Sequence, residues 1–252
     1  MSSFEVSRYH DEWGPIHVLS DNDNIYLTFG NGGEQSGMQV SQPDRLLFQY
    51  TQCMMLALLL TPKARRATLL GLGAGSLAKA LLLADDSLSL TVVELREKVA
   101  QAARDWFSLP DSQRLTLHIG DAFQHIQQPL LPTGQQELLF VDLYLDNGLQ
   151  DQLVDPAFLQ ASYDHLCDEG VMVINLWDEG KGILPLCMDT LQEVFGSQPL
   201  QASTQEGNVI VFVGKDIQLD PHPRRLQAHA KTLGNELDVP LQRLLNRLQV
   251  VV

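Results

Sequence analysis

Four segments of the chain carry residue types that can bind or react, and each lies at the end of an apolar run. Leu69-Leu-Gly71-Leu-Gly73-Ala-Gly75-Ser76 sets three alternating glycines behind the run 67–70. Glycines there let the backbone turn tightly against a ligand, and a helix that follows offers free N–H groups. Ser76 stands three residues after Gly73, so the spacing is not the G-x-G-x-x-G of pyrophosphate cofactors, and such a cofactor is the less favoured ligand. Glu94 closes the run 88–93, 23 residues after Gly71. A carboxylate at that place can accept hydrogen bonds from both hydroxyls of a ribose lying across the turn. Gly120-Asp121-Ala122 follows the run 115–119. Asp121 can bond the exocyclic amine of an adenine while Ala122 offers its N–H to a ring nitrogen; Asp121 equally suits the N-cap of a short helix, and both can hold at once. Asp142 closes the run 138–141. Ligands of open α/β sheets bind at the carboxyl ends of strands, so three such acids beside a glycine turn form the strongest constellation in the chain.

The elements that must position them follow from the alternation of apolar runs with helical stretches. Strands are expected at 67–70, 88–93, 115–119, 138–141 and 171–176, with helices at 76–84, 96–107, 122–126 and 156–167. Parallel strands cannot be joined by tight turns, so this order implies a parallel sheet buried on both faces. Runs at 199–201 and 209–213, after a helix at 183–195, complete a doubly wound, mostly parallel seven-stranded α/β sheet. Ahead of it, β-prone runs at 16–19, 25–29 and 38–40 are split by Asp21-Asn-Asp-Asn and Gly30-Asn-Gly-Gly. They predict a small antiparallel hairpin or three-stranded appendage. A linking helix is expected from Pro43-Asp44 to about residue 60, with Leu46, Leu47, Tyr50, Met54 and Leu58 as its apolar stripe, Asp44 as N-cap and Pro62 as stop. The tail holds Asp220-Pro-His-Pro and a helix at 241–248. The expected organisation is therefore an appendage at 1–43, an α/β domain at 44–215 and a helical tail at 216–252.

Composition narrows the function classes. The 252 residues include 17 Lys+Arg and 31 Asp+Glu, a net charge of −14, with 44% hydrophobic residues. That supports a buried core and disfavours surfaces built for nucleic acid or anionic lipid. The longest apolar run, 53–60, is far too short for a bilayer. No secretory leader is expected, and Cys53, Cys167 and Cys187 are scattered and odd in number, so a cytoplasmic protein is expected. From 115 to 180 there is no Lys or Arg against eleven Asp and Glu, with Asp142, Asp146, Asp151 and Asp155 around the loop after the fourth strand. A cleft of one sign would concentrate a cationic substrate such as an amine; a solubilising acidic face fits equally well. The seven histidines show no metal-type spacing, and no metal is expected. His118 and His125 read as packing or surface residues, and Ser76 is not in a nucleophile elbow.

Taken together, these segments resemble the spermidine synthase-like proteins, the polyamine aminopropyltransferase family on the class I S-adenosylmethionine-dependent methyltransferase fold. The resemblance runs from about 16 to 195. It rests on Gln35-Ser36-Gly37-Met38, on Tyr50 and Met54, on Leu70-Gly-Leu-Gly-Ala-Gly-Ser and on Val92-Val-Glu94-Leu. Ala103-Arg104-Asp-Trp-Phe-Ser-Leu-Pro110, Gly120-Asp-Ala122, Val141-Asp142 and Gly170-Val-Met-Val-Ile-Asn175 extend it. It implies a donor that is S-adenosylmethionine or its decarboxylated form, a small-molecule amine as acceptor, and a homodimer through the appendage and C-terminal elements. Glu94 would hold the ribose, Asp121 and Ala122 the adenine, and Gly71, Gly73 and Gly75 the part near sulfur. Gln35 would reach in from the appendage, and Asp142 would be the general base. The alternatives are an S-adenosylmethionine-dependent methyltransferase of a small molecule and a non-catalytic nucleoside-binding relative. The chain also departs from the family. Asp142-Leu143-Tyr144-Leu145-Asp146 stands where synthases carry Asp-Ser-Thr-Asp-Pro, Ala74 replaces an acid of the glycine turn, and Tyr50-Thr51-Gln52 replaces Tyr-His-Glu. Nucleoside-binding positions are kept and polyamine-binding ones altered, as in a divergent member.

Overall fold

The computed structural model describes residues 3–30, 36–128, 134–143, 153, 155–177, 188–220 and 223–251. Its first sheet is an antiparallel meander of β1 (Phe4–Asp11), β2 (Gly14–Asp21), β3 (Asn24–Phe29) and β4 (Ser36–Gln39). β1 was not among the expected strands. It is an edge strand with Glu5, Arg8 and Asp11 in it and no fully buried side chain, so it lacks the apolar alternation that marks a half-buried strand.

The linking segment differs from the expected single helix. Pro43 and Asp44 sit inside a turn closed by the Arg45 N–H on the Gln42 carbonyl at 3.1 Å, and among the described residues Asp44 caps no helix, the first helix's N-cap position being Phe48. α1 (Gln49–Met54) and α2 (Ala57–Leu60) follow as two short helices. The cap of α1 comes from far along the chain: the Glu206 carboxylate accepts the N–H groups of Gln49 at 2.9 Å and Tyr50 at 3.2 Å. Cys53 to Leu59 are all buried. Packing on every side, rather than one amphipathic stripe, sets this segment's geometry.

The main sheet contains β5 (Arg66–Leu70), β6 (Ser89–Glu94), β7 (Leu115–Ile119), β8 (Gln136–Val141), β9 (Leu166–Trp177), β10 (Leu200–Ser203), β11 (Asn208–Gly214) and β12 (Gln249–Val250). Between them run α3 (Ser76–Ala84), α4 (Glu97–Trp106), α5 (Ala122–Gln127), α6 (Pro156–His165), α7 (Met188–Phe195), α8 (Pro223–Leu237) and α9 (Leu241–Leu245). The strand order is β12-β10-β11-β9-β8-β5-β6-β7. β9-β8-β5-β6-β7 are parallel, and β11, β10 and β12 antiparallel. The seven expected strands are thus joined by a two-residue eighth, β12. Of the expected helix at 183–195, residues 188–195 are described.

α8 was also unforeseen. Pro221 and Pro223 read as interruptions, yet Pro223 is the first residue of α8, where a missing N–H costs nothing. Leu226, Ala230, Leu233 and Leu237 recur at four, three and four residues and pack on the core. Among the described residues no helix is long and apolar enough to cross a membrane.

Strand alternation divides the core. Ala67, Leu69, Leu90, Val92, Leu138, Phe140, Val171, Val173, Ile210 and Phe212 face α1, α2, α3, α8 and α9. Leu70, Val93, Leu139, Val141, Met172 and Ile174 face α5, α6 and α7. Each buried leucine or valine is worth about 1.5–3 kcal/mol. The crossovers lead from β5 to β6 and β7 on one side and to β8 and β9 on the other, so the order reverses at β5. A crevice opens at the carboxyl end of such a switch point.

The antiparallel sheet is fastened beside that crevice. Ile16, Val18, Leu27 and Met38 pack with Ala74 of the glycine turn and with Val99, Ala102 and Phe107. Arg96 binds Asp11 at 2.7 Å and the Gly14 carbonyl at 2.7 Å. The buried Lys79 ammonium donates to the carbonyls of Pro43 at 2.7 Å and Phe107 at 2.8 Å. Burial pulls Lys79 down to about 8.

Candidate active site

The glycine turn joins β5 to α3 with Gly71 at φ 92°, Gly73 at φ 54° and Gly75 at φ 77°, all in the region that penalises a side chain. Gly71 has a second reason to lack one. A Cβ there would stand 2.1 Å from the backbone oxygen of Asp142. The turn is therefore pressed against the tip of β8. It is also held from the antiparallel sheet, because the Ala74 N–H donates to Ser36 Oγ at 3.1 Å and Ser76 Oγ to the Gly37 carbonyl at 2.8 Å. Gln35, the residue before Ser36, lies outside the described residues.

Backbone hydrogen bonds continue past the strand ends and bring the tips together. The Gly71 N–H donates to Val93 at 2.8 Å, Asp142 to Leu70 at 2.9 Å and Gly120 to Glu94 at 2.9 Å. Glu94 and Asp142 consequently flank the same turn. Glu94 is buried, and its two oxygens accept the N–H groups of Leu72 and Arg96, each at 2.9 Å. Burial raises its carboxyl above the ordinary value, opposed by those backbone donors and that of Gly73. A carboxylate has about four acceptor directions, so sites remain on its oxygens.

Asp121 takes the cap role: its Oδ1 accepts from Phe123 at 2.7 Å and Gln124 at 3.0 Å. Its other oxygen has no such partner among the described residues, and Ala122 beside it is buried. Asp121 and Ala122 belong to the next tip over, that of β7. Gly71, Gly73, Gly75, Glu94 and Asp142 thus surround one turn, with Asp121 and Ala122 one strand further along.

Asp142 occupies the outward continuation of a core row. Leu138 and Phe140 face α1 and α2, and so does Asp142 one step beyond them. Asn175 continues Val171 and Val173 in the same way, as Asn208 continues Phe212 and Ile210. Asn175 Nδ2 donates to Asp142 Oδ1 at 2.9 Å, and Asn208 Nδ2 donates to Asn175 Oδ1 at 2.9 Å. The Tyr50 phenol hydrogen-bonds Asp142 as well. Burial pushes Asp142 from 3.8 up to about 6, against those two donors. Burial, then the nearby Asp142 and Glu206 charges, hold Tyr50 well above its usual value, so the phenol stays protonated and can donate.

The acidic stretch from 115 to 180 is not one lining. Glu137 pairs with Arg66 at 3.3 Å at the opposite end of the sheet, and Asp155 caps α6 through the Ala157 N–H at 2.8 Å. Asp146 and Asp151 lie outside the described residues. The His118 and His125 rings lie against each other, tilted by 39° with centroids 5.4 Å apart. Sequence reasoning missed Asn175, Asn208 and Glu206 as site residues. Asn175 carried a usable signal, being a polar residue inside an otherwise apolar strand. Asn208 and Glu206 carried none, because their partners are distant in sequence.

A parallel sheet reversing at β5, with a glycine turn and acids at that point, defines an α/β protein of the class I methyltransferase type. No protein-family model matches the chain. It is 27% identical over 237 residues to a polyamine aminopropyltransferase of Vibrio vulnificus, covering 92% of this chain and 77% of that protein. One from Neisseria meningitidis is 26% identical, covering 92% and 88%. A probable spermidine synthase of Corynebacterium glutamicum superposes with a TM-score of 0.73 at 21% identity, over 97% of this chain and 95% of that one. Human methyltransferase-like protein 13, solved in complex with SAH, gives 0.63 at 24% identity over 76% and 93%. Over nearly its whole length the chain is thus similar to polyamine aminopropyltransferases, the resemblance that its motifs carry.

Proposed function

We propose that the protein is a transferase that binds an S-adenosyl sulfonium at the glycine turn and alkylates an amine, with Asp142 as general base. The observation that carries this reading is Asp142 itself: a carboxylate at the switch point, against the turn, held by a phenol and an amide and pushed up to about 6. In the reaction the amine nitrogen attacks the carbon beside S⁺, the C–S bond breaks, and a neutral thioether leaves. The nitrogen sheds a proton, for which an ionised Asp142 is the acceptor. Holding the two reactants in line supplies much of the remaining acceleration. Glu94 would take the ribose hydroxyls on its free lone pairs. Asp121 and Ala122 would take the adenine, and Gln35 would reach in from the appendage.

The decarboxylated donor fits better than S-adenosylmethionine. The latter brings a carboxylate to a rim whose polar side chains, among the described residues, include acids, amides and a phenol but no unengaged cation. The nearby cations Lys79 and Arg96 are engaged by Pro43, Phe107 and Asp11. Trp177 lies on the same face of β9 as Asn175 and is 46% exposed. It offers an aromatic face to an ammonium acceptor.

Incubation with decarboxylated S-adenosylmethionine and a panel of amines should release methylthioadenosine, read by mass spectrometry. Release of S-adenosylhomocysteine from S-adenosylmethionine instead would establish the methyltransferase reading, which the SAH-bound structural neighbour favours. Neither product from either donor would remove the catalytic reading.

A further inference from the structure

Behind the acid stand two amides that the proposed reaction does not itself use. We infer that Asn208 is a positioning residue for Asp142, acting through Asn175 by fixing which end of the Asn175 amide faces the acid. Its catalytic consequence rests on Asp142 being the base.

The argument starts from the two-ended chemistry of a side-chain amide, whose NH₂ donates and whose oxygen accepts. The terminal torsion is broad and nearly two-fold, so the ends can be exchanged at little intrinsic cost. An ionised carboxylate only accepts, whereas a protonated carboxyl can also donate. Left alone, Asn175 would follow the protonation state of Asp142 and could turn its oxygen to the neutral acid, stabilising it. Asn208 opposes that exchange, because turning Asn175 alone forfeits the bond to Asn208 and keeping it requires both amides to turn together. Its Nδ2 has Asn175 Oδ1 as acceptor at 2.9 Å, and keeping that bond leaves only the Asn175 Nδ2 for Asp142 Oδ1, at 2.9 Å. The orientation thus follows from the acceptor-only carboxylate on one side and is reinforced by the Asn208 NH₂ on the other. A fixed donor favours the charged acid and opposes its burial.

Asn208 is itself held at the end of the β10–β11 hairpin. Its N–H donates to Thr204 Oγ1 at 3.1 Å, and its carbonyl accepts from the Thr204 N–H at 2.8 Å. Glu206 of the same hairpin caps α1 at Tyr50. One hairpin end therefore sets both neighbours of the acid. Among the described residues, the titratable groups facing this pair of amides are Asp142 from β8 and Tyr50 from α1, with Glu206 acting behind Tyr50. Among them, no lysine, arginine or histidine side chain is hydrogen-bonded to or ion-paired with Asp142, Asn175 or Asn208.

The test is a carbon-13 NMR titration of the Asp142 carboxyl in the full-length protein, in the parent, Asn208→Leu, Asn175→Leu and the double variant. Circular dichroism confirms that each is folded, and Asn208→Ser replaces Asn208→Leu if the latter is not. Cutting the relay at Asn208 should raise the midpoint by at least half a pH unit, about threefold in proton affinity. In the Asn175→Leu background the same change should leave it where it was, because the relay is already cut. With decarboxylated S-adenosylmethionine and an amine, the acid limb of the pH–rate profile should move up by the same interval. An unmoved midpoint in Asn208→Leu, or equal shifts in both backgrounds, would overturn the inference. The titration needs no substrate, so it decides the point even if the transferase reading fails.

Discussion

The two ends of the parallel sheet handle their carboxylates in opposite ways. At the amino end, acids meet arginines: Glu137 with Arg66 at 3.3 Å, Asp85 with Arg65 at 3.2 Å and Asp86 with Arg114 at 3.5 Å. At the carboxyl end, Glu94, Asp121 and Asp142 touch no lysine or arginine head group among the described residues. Backbone N–H groups, an amide and a phenol meet them without a cation, whereas Glu137 accepts the Arg66 N–H at 2.7 Å in addition to its guanidinium. The first arrangement spends each charge on a neighbour and leaves little to offer a ligand. The second leaves lone pairs and a negative potential at the crevice where the strand order reverses. The acids alone do not distinguish the two ends; their partners do.

Four substitutions probe that contrast. Removing the charge in Asp142→Asn should lower product formation by about 10²–10⁴-fold, as loss of a positioned base does, while donor binding persists. The same change should raise stability. The folded-state value near 6 exceeds the ordinary 3.8, so the folded protein binds this proton more tightly and loses stability as pH rises through that window. Melting curves should therefore show the variant more stable by about 2–3 kcal/mol above pH 6, converging with the parent below pH 4. In Gly71→Ala, a Cβ aimed at the Asp142 backbone oxygen in a left-handed conformation should cost about 3 kcal/mol or more in denaturant unfolding. Glu94→Gln turns an amide donor toward one of two buried N–H groups, with an expected cost of about 1–3 kcal/mol and weaker adenosyl binding. Glu137→Gln breaks a partly exposed ion pair at the amino end, while its amide oxygen can keep the Arg66 N–H that the carboxylate accepts at 2.7 Å. It should cost less than about 1 kcal/mol and leave both turnover and binding unchanged; a binding defect there would dissolve the contrast.

Much of the carboxyl end was legible because buried parallel strands are continuous apolar runs, and the first acid after each run marks where it surfaces. Glu94, Asp121 and Asp142 were found in that way, and the glycine turn by its composition. What escaped has physical causes. β1 is a solvated edge, α8 hides behind two prolines, and the Asp44 cap was a local inference where the protein uses Glu206 from the far hairpin. The amide chain behind Asp142 joins β8, β9 and β11, so it exists only once those strands are in register. Local sequence carries the tips; pairing carries what stands behind them.

The central claim is tested most directly by calorimetric titration of 5′-methylthioadenosine into the parent, Asp142→Asn, Glu94→Gln and Glu137→Gln proteins. Binding should be equal within about twofold in the parent, Asp142→Asn and Glu137→Gln proteins, and at least about tenfold weaker in Glu94→Gln, a difference of about 1.4 kcal/mol. No binding to the parent, or undiminished binding to Glu94→Gln, would contradict the account.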